Sequence, residues 1–219
     1  MKLVTFQTKK AYKILQKEGV LRADIAHTDL QKYGVPYDWV VGEMKKRKIL
    51  PLNGEQYPLW AWAKCGASIS PKKKKNTIHK VQDLVKITFE KPDRDILLSD
   101  YMAYSFILNG QIVPKTRKDY ASFLQHMEQQ GISLEDLKNF ARGQKVSPKV
   151  PISKIRKSWT RIFDLKSTVH QACVWNIKMQ DVIKVEALDN SNYLYGTMNA
   201  KRKDGSRPDW KKVYLKFLK

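Results

Sequence analysis

Side chains alternate with a period of two in four short segments spread along the chain, at residues 3–7, 57–64, 84–89 and 172–177. That period puts alternate side chains on opposite faces of a pleated strand. A lone strand leaves its N–H and C=O groups unpaired, so segments this distant in sequence are expected to join as strands of one core. In the second segment, Trp60 and Trp62 fall on one face and Leu59, Ala61 and Ala63 on the other. In the third, Leu84, Lys86 and Thr88 alternate with Val85, Ile87 and Phe89, and Pro92 ends the strand. Further strands are expected at 182–187, 193–198 and 211–217.

Helix signals lie between these strands. Thr8 reads as the N-cap of a helix to Glu18, with Gly19 just beyond its end. Residues 28–48 read as helix in two pieces, broken near Gly34 and Pro36, with Tyr37, Val40, Val41 and Met44 in one stripe. Ser99 is the expected N-cap of a helix through Asn109. Thr116 with Asp119, and Ser133 with Asp136, have capping-box spacing for helices to Gln130 and Arg142, and 143–151 reads as a loop. The fold class expected is α+β, one domain over 1–219. Residues 110–165 form a helical insertion, and 201–219 a basic C-terminal strand or tail.

Charge sets the partner class. The chain has 42 Lys and Arg against 21 Asp and Glu, a net charge of +21. Self-repulsion on this scale works against compaction, and a polyanionic partner offsets it. Residues 64–80 hold six basic residues and no acid, four of them at Lys72, Lys73, Lys74 and Lys75. Residues 142–161 hold seven and no acid, among them Lys154, Arg156 and Lys157. These seven named residues are the expected nucleic-acid contacts. No apolar run reaches the roughly 18 residues of a membrane span, and the opening turns polar at once. The expectation is a cytoplasmic protein with no membrane partner. Cys65, Cys173 and four scattered histidines show no metal-ligand spacing, so no metal is expected. Phosphate-binding glycine motifs are absent from the sequence as well.

Several motifs resemble a bacterial domain-of-unknown-function family. They are Tyr37-Asp38-Trp39, the Met44 and Arg47 pair, residues 57–62, Leu97-Leu98-Ser99-Asp100, Asn109, Ser158-Trp159 with Ile162-Phe163-Asp164, and Gln171 with Trp175. The likeness runs from about residue 3 to 187 and carries no activity by itself.

The layout also resembles the ADP-ribosyltransferase superfamily, in particular its nucleic-acid-modifying toxins. Glu18-Gly19-Val20-Leu21-Arg22-Ala23-Asp24 is similar to a phrase that follows the first strand and helix of those proteins. The resemblance implies mixed sheets of that fold and NAD as the substrate that donates ADP-ribose. It also implies RNA or single-stranded DNA as acceptor, and a role in toxin–antitoxin or antiphage conflict beside a neutralising antitoxin. It places Gln7 on the first motif strand, Tyr57 or Trp60 on the second and residues 170–175 on the third. Gln7, Arg22, Tyr57, Trp60 and Trp175 would hold NAD. Where the superfamily carries a catalytic Glu, this sequence has Gln171 or Cys173. Gln171 would then hold the ribose hydroxyls, and a carboxylate, Asp100 ahead of Asp164, Asp181 or Glu186, would supply the charge that balances an oxocarbenium-like state. The alternative is a non-catalytic, basic nucleic-acid-binding module, for which the missing Glu argues.

Overall fold

A computed structural model describes residues 1–64, 84–188 and 209–218. The expected strand at 193–198 and Lys72 to Lys75 lie outside the described residues. Eight strands are described: β1 (Lys2–Thr8), β2 (Val20–Arg22), β3 (Leu59–Lys64), β4 (Leu84–Glu90), β5 (Leu97–Asp100), β6 (His170–Val174), β7 (Asn176–Lys178) and β8 (Val182–Leu188). The described helices are α1 (Lys9–Glu18), α2 (Leu30–Lys46), α3 (Tyr101–Leu108), α4 (Arg117–Gln129), α5 (Leu134–Ala141), α6 (Ile152–Trp159) and α7 (Trp210–Tyr214). The class is mixed α and β. The chain divides into two compact units, one of residues 1–23, 49–98 and 171–208, the other of 24–48, 99–170 and 209–219.

The first unit is built on a six-stranded sheet in the order β5-β6-β3-β1-β4-β8, with β2 and β7 forming a separate antiparallel pair. β1 runs antiparallel to β3 and β4, and β4 antiparallel to β8. All four segments that alternate in sequence thus supply strands to this sheet. Leu3, Ala61, Ile87, Phe89, Ala172 and Val174 belong to one buried cluster with Leu15 of α1. α1 starts where expected: the Thr8 hydroxyl accepts from the Ala11 amide, and Gly19 follows in the left-handed conformation at φ 71°.

The second unit is mainly helical, with the fully buried Trp159 near its centre. Its indole N–H donates to the Gln111 carbonyl at 2.8 Å, and its ring packs against Trp39 and Phe140. Residues 110–165 hold α4, α5 and α6 and no described strand. Both expected capping boxes are present, at Thr116 with Asp119 and at Ser133 with Asp136. α2 carries the expected break, with Tyr33 at non-helical angles ahead of Pro36.

Three local expectations are corrected. Residues 211–217 are helix and a following 3-10 turn, not strand. Asp209 caps the Lys212 amide, and Tyr214 and Leu218 are buried at a spacing of four. The N-cap of α3 is Asp100 rather than Ser99, which remains in β5. The single strand expected at 172–177 is two, β6 and β7, in different sheets. α6 falls inside the helical block expected at 110–165, although Pro151 precedes it without a side-chain cap.

Candidate nucleic-acid interface

Strand register decides which residues of the sheet unit face the same way. Leu3, Thr5 and Gln7 sit opposite Phe89, Ile87 and Val85, and directly paired residues point to one face. Leu3, Phe89, Ile87 and Val85 are in the core cluster with Leu15, so this is the α1-covered face. Gln7 belongs to it: its amide donates to the Thr5 hydroxyl at 2.9 Å, which in turn donates to the Trp60 carbonyl at 3.0 Å. Val4 pairs with Trp62, so Val4, Phe6, Trp60 and Trp62 share the other face. All four are half-buried. Lys86, on the same face, pairs with Glu186 at 3.0 Å, and Lys184 meets that carboxylate also at 3.0 Å. On β6, Ala172 and Val174 are in the α1-side core, so alternation turns Gln171 and Cys173 to the tryptophan face.

Gln171 therefore shares a face with Trp60, on the neighbouring strand, while Gln7 does not. Gln171 is 5% exposed, and its side-chain nitrogen has no hydrogen-bond partner among the described residues. Cys173 is buried, and burial pushes its thiol pKa up, which keeps it protonated and unreactive. Tyr57 is half-buried just ahead of β3.

The other residues assigned to NAD are engaged elsewhere. The Arg22 guanidinium meets Glu55 at 3.3 Å. Glu55 also accepts from Asn176 at 2.9 Å and from the Asn53 amide at 2.8 Å, and Asn176 accepts from Lys91, which pairs with Asp181 at 2.7 Å. Burial raises the Glu55 pKa, but its hydrogen bonds outweigh that and bring it to about 2. Trp175 is buried, and its indole N–H donates to the Ile49 carbonyl at 3.0 Å. In the helical unit, Asp100 is fully buried. Its carboxylate accepts from the Ala103 amide at 3.0 Å, the Ser167 amide at 2.6 Å and the Ser167 hydroxyl at 2.8 Å.

Cationic side chains are displayed openly. α6 buries Ile155, Ser158 and Trp159 and turns Lys154, Arg156 and Lys157 to solvent. None of the three forms an ion pair among the described residues; Arg156 lies over the Phe140 ring at 5.6 Å. Lys145 and Lys149 are exposed in the loop before it. Such an arrangement suits contact with phosphate. Sequence reasoning missed a second basic surface, the outer side of α1, although its lysine spacing is visible in the sequence. Among the described residues no group of acids, histidines and cysteines could hold a metal ion, and no helix is long and apolar enough to cross a membrane.

A family model described as a domain of unknown function, DUF3841, matches residues 2–183. The chain belongs to the DUF3841 family. No curated protein and no solved structure matches it.

In this DUF3841 chain, many motif residues that carry the resemblance have packing roles. Trp39 stacks on Phe163 at 5.9 Å, and the Arg47 guanidinium covers the same ring at 4.1 Å. Arg47 also pairs with the buried Glu43. The Ser158 hydroxyl accepts from the Val113 amide and donates to the Ile155 carbonyl. Asn109 closes α3 by donating to the Ser105 carbonyl at 2.7 Å. These contacts hold the helical unit together.

Proposed function

We propose that this DUF3841 protein binds nucleic acid, single-stranded RNA or DNA in preference to duplex, through basic helix surfaces. The observation that carries the reading is α6, whose solvent side presents Lys154, Arg156 and Lys157 with no acidic partner among the described residues. The net charge of +21 supports it. Each lysine or arginine that neutralises a phosphate releases a condensed counterion, and this term is independent of sequence. The half-buried Phe6, Trp60 and Trp62 share one sheet face, and aromatic rings of this kind stack unpaired bases. Replacing Lys154, Arg156 and Lys157 with Ser tests the reading. The variant is expected to bind a fluorescein-labelled single-stranded RNA about tenfold or more weakly, alike for all sequences. Unchanged affinity would remove α6 from the interface.

One observation favours the transferase as a second reading. The three strands singled out by the superfamily resemblance, β1, β3 and β6, are contiguous in the sheet as β6-β3-β1. The residues assigned to NAD do not fit as a set. Gln7 lies on the opposite sheet face from Trp60 and Gln171, Arg22 is spent on Glu55, Trp175 is core, and the Asp100 carboxylate is filled by three donors. The reading reduces to Trp60 and Gln171, whose buried side-chain nitrogen lacks a partner among the described residues. Stabilisation by NAD in a thermal shift, together with an ADP-ribose mass gain on an oligonucleotide, would support it. No shift and no mass gain would leave the binding module alone.

A further inference from the structure

We infer that the outer side of α1 is a second phosphate-binding surface, one that tracks the backbone of a single nucleic-acid strand. The inference rests on the nucleic-acid reading above and places a contact in the sheet unit, where α6 has no part. α1 has the sequence Lys-Lys-Ala-Tyr-Lys-Ile-Leu-Gln-Lys-Glu. Leu15 is completely buried, and Ala11 and Tyr12 pack against the same core. At 3.6 residues per turn, Lys9, Lys10, Lys13 and Lys17 then share an arc about 100° wide, opposite the buried side. All four are exposed, and Glu18, the one acid of the helix, falls off that arc. Lys10, Lys13 and Lys17 form no ion pair among the described residues. Lys9, Lys13 and Lys17 follow one another every four residues, a step of about 6 Å along the helix axis. The result is an inclined row of positive charge along the length of the helix.

A row of like charges on one helix face is destabilising by itself, because lysines at i and i+4 repel. An interspersed Glu would relieve that repulsion, and the arc holds none. An extended polyanion relieves it too. A nucleic-acid strand is favoured over an anionic membrane, because a membrane-surface helix inserts an apolar face. The apolar face of α1 is already spent on the sheet, where Leu15 is buried.

The test compares Lys10→Gln/Lys13→Gln/Lys17→Gln with Lys10→Arg/Lys13→Arg/Lys17→Arg in the full chain. The probe is a labelled single-stranded RNA, titrated at several salt concentrations. Gln is nearly as good a helix former as Lys and Arg, so circular dichroism and melting temperature are expected to match the parent. The Gln variant is expected to bind about tenfold or more weakly at low salt, with a salt slope smaller by about 2, while the Arg variant binds like the parent. If the Gln variant binds like the parent while the α6 variant is weakened, the α1 surface is overturned and the nucleic-acid reading stands. If the parent protein binds no RNA or single-stranded DNA, both fall. If it binds only vesicles containing phosphatidylserine, and binding depends on the α1 lysines, the partner assigned to this surface is wrong.

Discussion

Asp100 shows how a residue can satisfy a motif and still be committed to structure. Its carboxylate caps α3 and ties the Ser167 amide and hydroxyl to the start of that helix. Asp100→Ala removes the cap and strands buried donors, so denaturant unfolding is expected to show a loss of about 3 kcal/mol. Equal stability would show that the cap contributes nothing. Gly110 is constrained more tightly. Its φ is 64°, and a Cβ there would lie 1.9 Å from the Leu137 carbonyl oxygen, a backbone atom with no freedom to withdraw. Gly110→Ala is expected to cost about 3 kcal/mol or more, read from the same unfolding curves. Glu55 gives a pH signature. Its pKa falls from an ordinary 4.5 to about 2 in the folded state, so its contribution is complete above pH 4.5 and is lost as pH falls through 2. The loss is on the order of 3 kcal/mol. Glu55→Gln removes this proton linkage, so its stability curve between pH 4.5 and 2 should be flatter than the parent's. Parallel curves would contradict the assignment.

Elements were legible in the sequence wherever their signals are local. Thr8 and Gly19 bracket α1, and Thr116 with Asp119 and Ser133 with Asp136 mark two further helices, because a cap is set by residues within one turn. The break between β6 and β7 was not legible. Trp175 sits at that break, and its partner, the Ile49 carbonyl, is 126 positions away. The helix at 210–214 also reads as strand because Val213, Leu215 and Phe217 alternate, but the Asp209 cap with the Tyr214–Leu218 spacing prevails. The sites follow the same rule. Alternation relates side chains within one strand, but only register relates those of different strands. Gln7 and Gln171 therefore looked like partners until the pairing of β1 with β4 and the core membership of Ala172 turned them to opposite faces. For α6 the expectation concerns the element itself. Ile155 is fully buried, so Ile155→Ala should lower the melting temperature by several degrees. Gln at Lys154, Arg156 and Lys157, which keeps helix propensity, should lower it far less. A fall as large from these basic positions would mean that they support the fold rather than a ligand.

On the scale of the whole molecule, the basic residues outnumber the acids two to one. Several acids are already spent on internal pairs, Glu55 with Arg22, Asp181 with Lys91 and Glu43 with Arg47. What remains on the surface is strongly cationic, on α1 in one unit and on α6 in the other. Such a protein is expected to bind acidic polymers by charge first and by base contacts second. The most direct test is the affinity of the full chain for a labelled single-stranded RNA across a range of salt concentrations. The account predicts a linear fall of log K with log salt, with a slope of about −3 or steeper, as several lysines release counterions. An affinity that stays flat from low to high salt, or no binding at low salt, would contradict it.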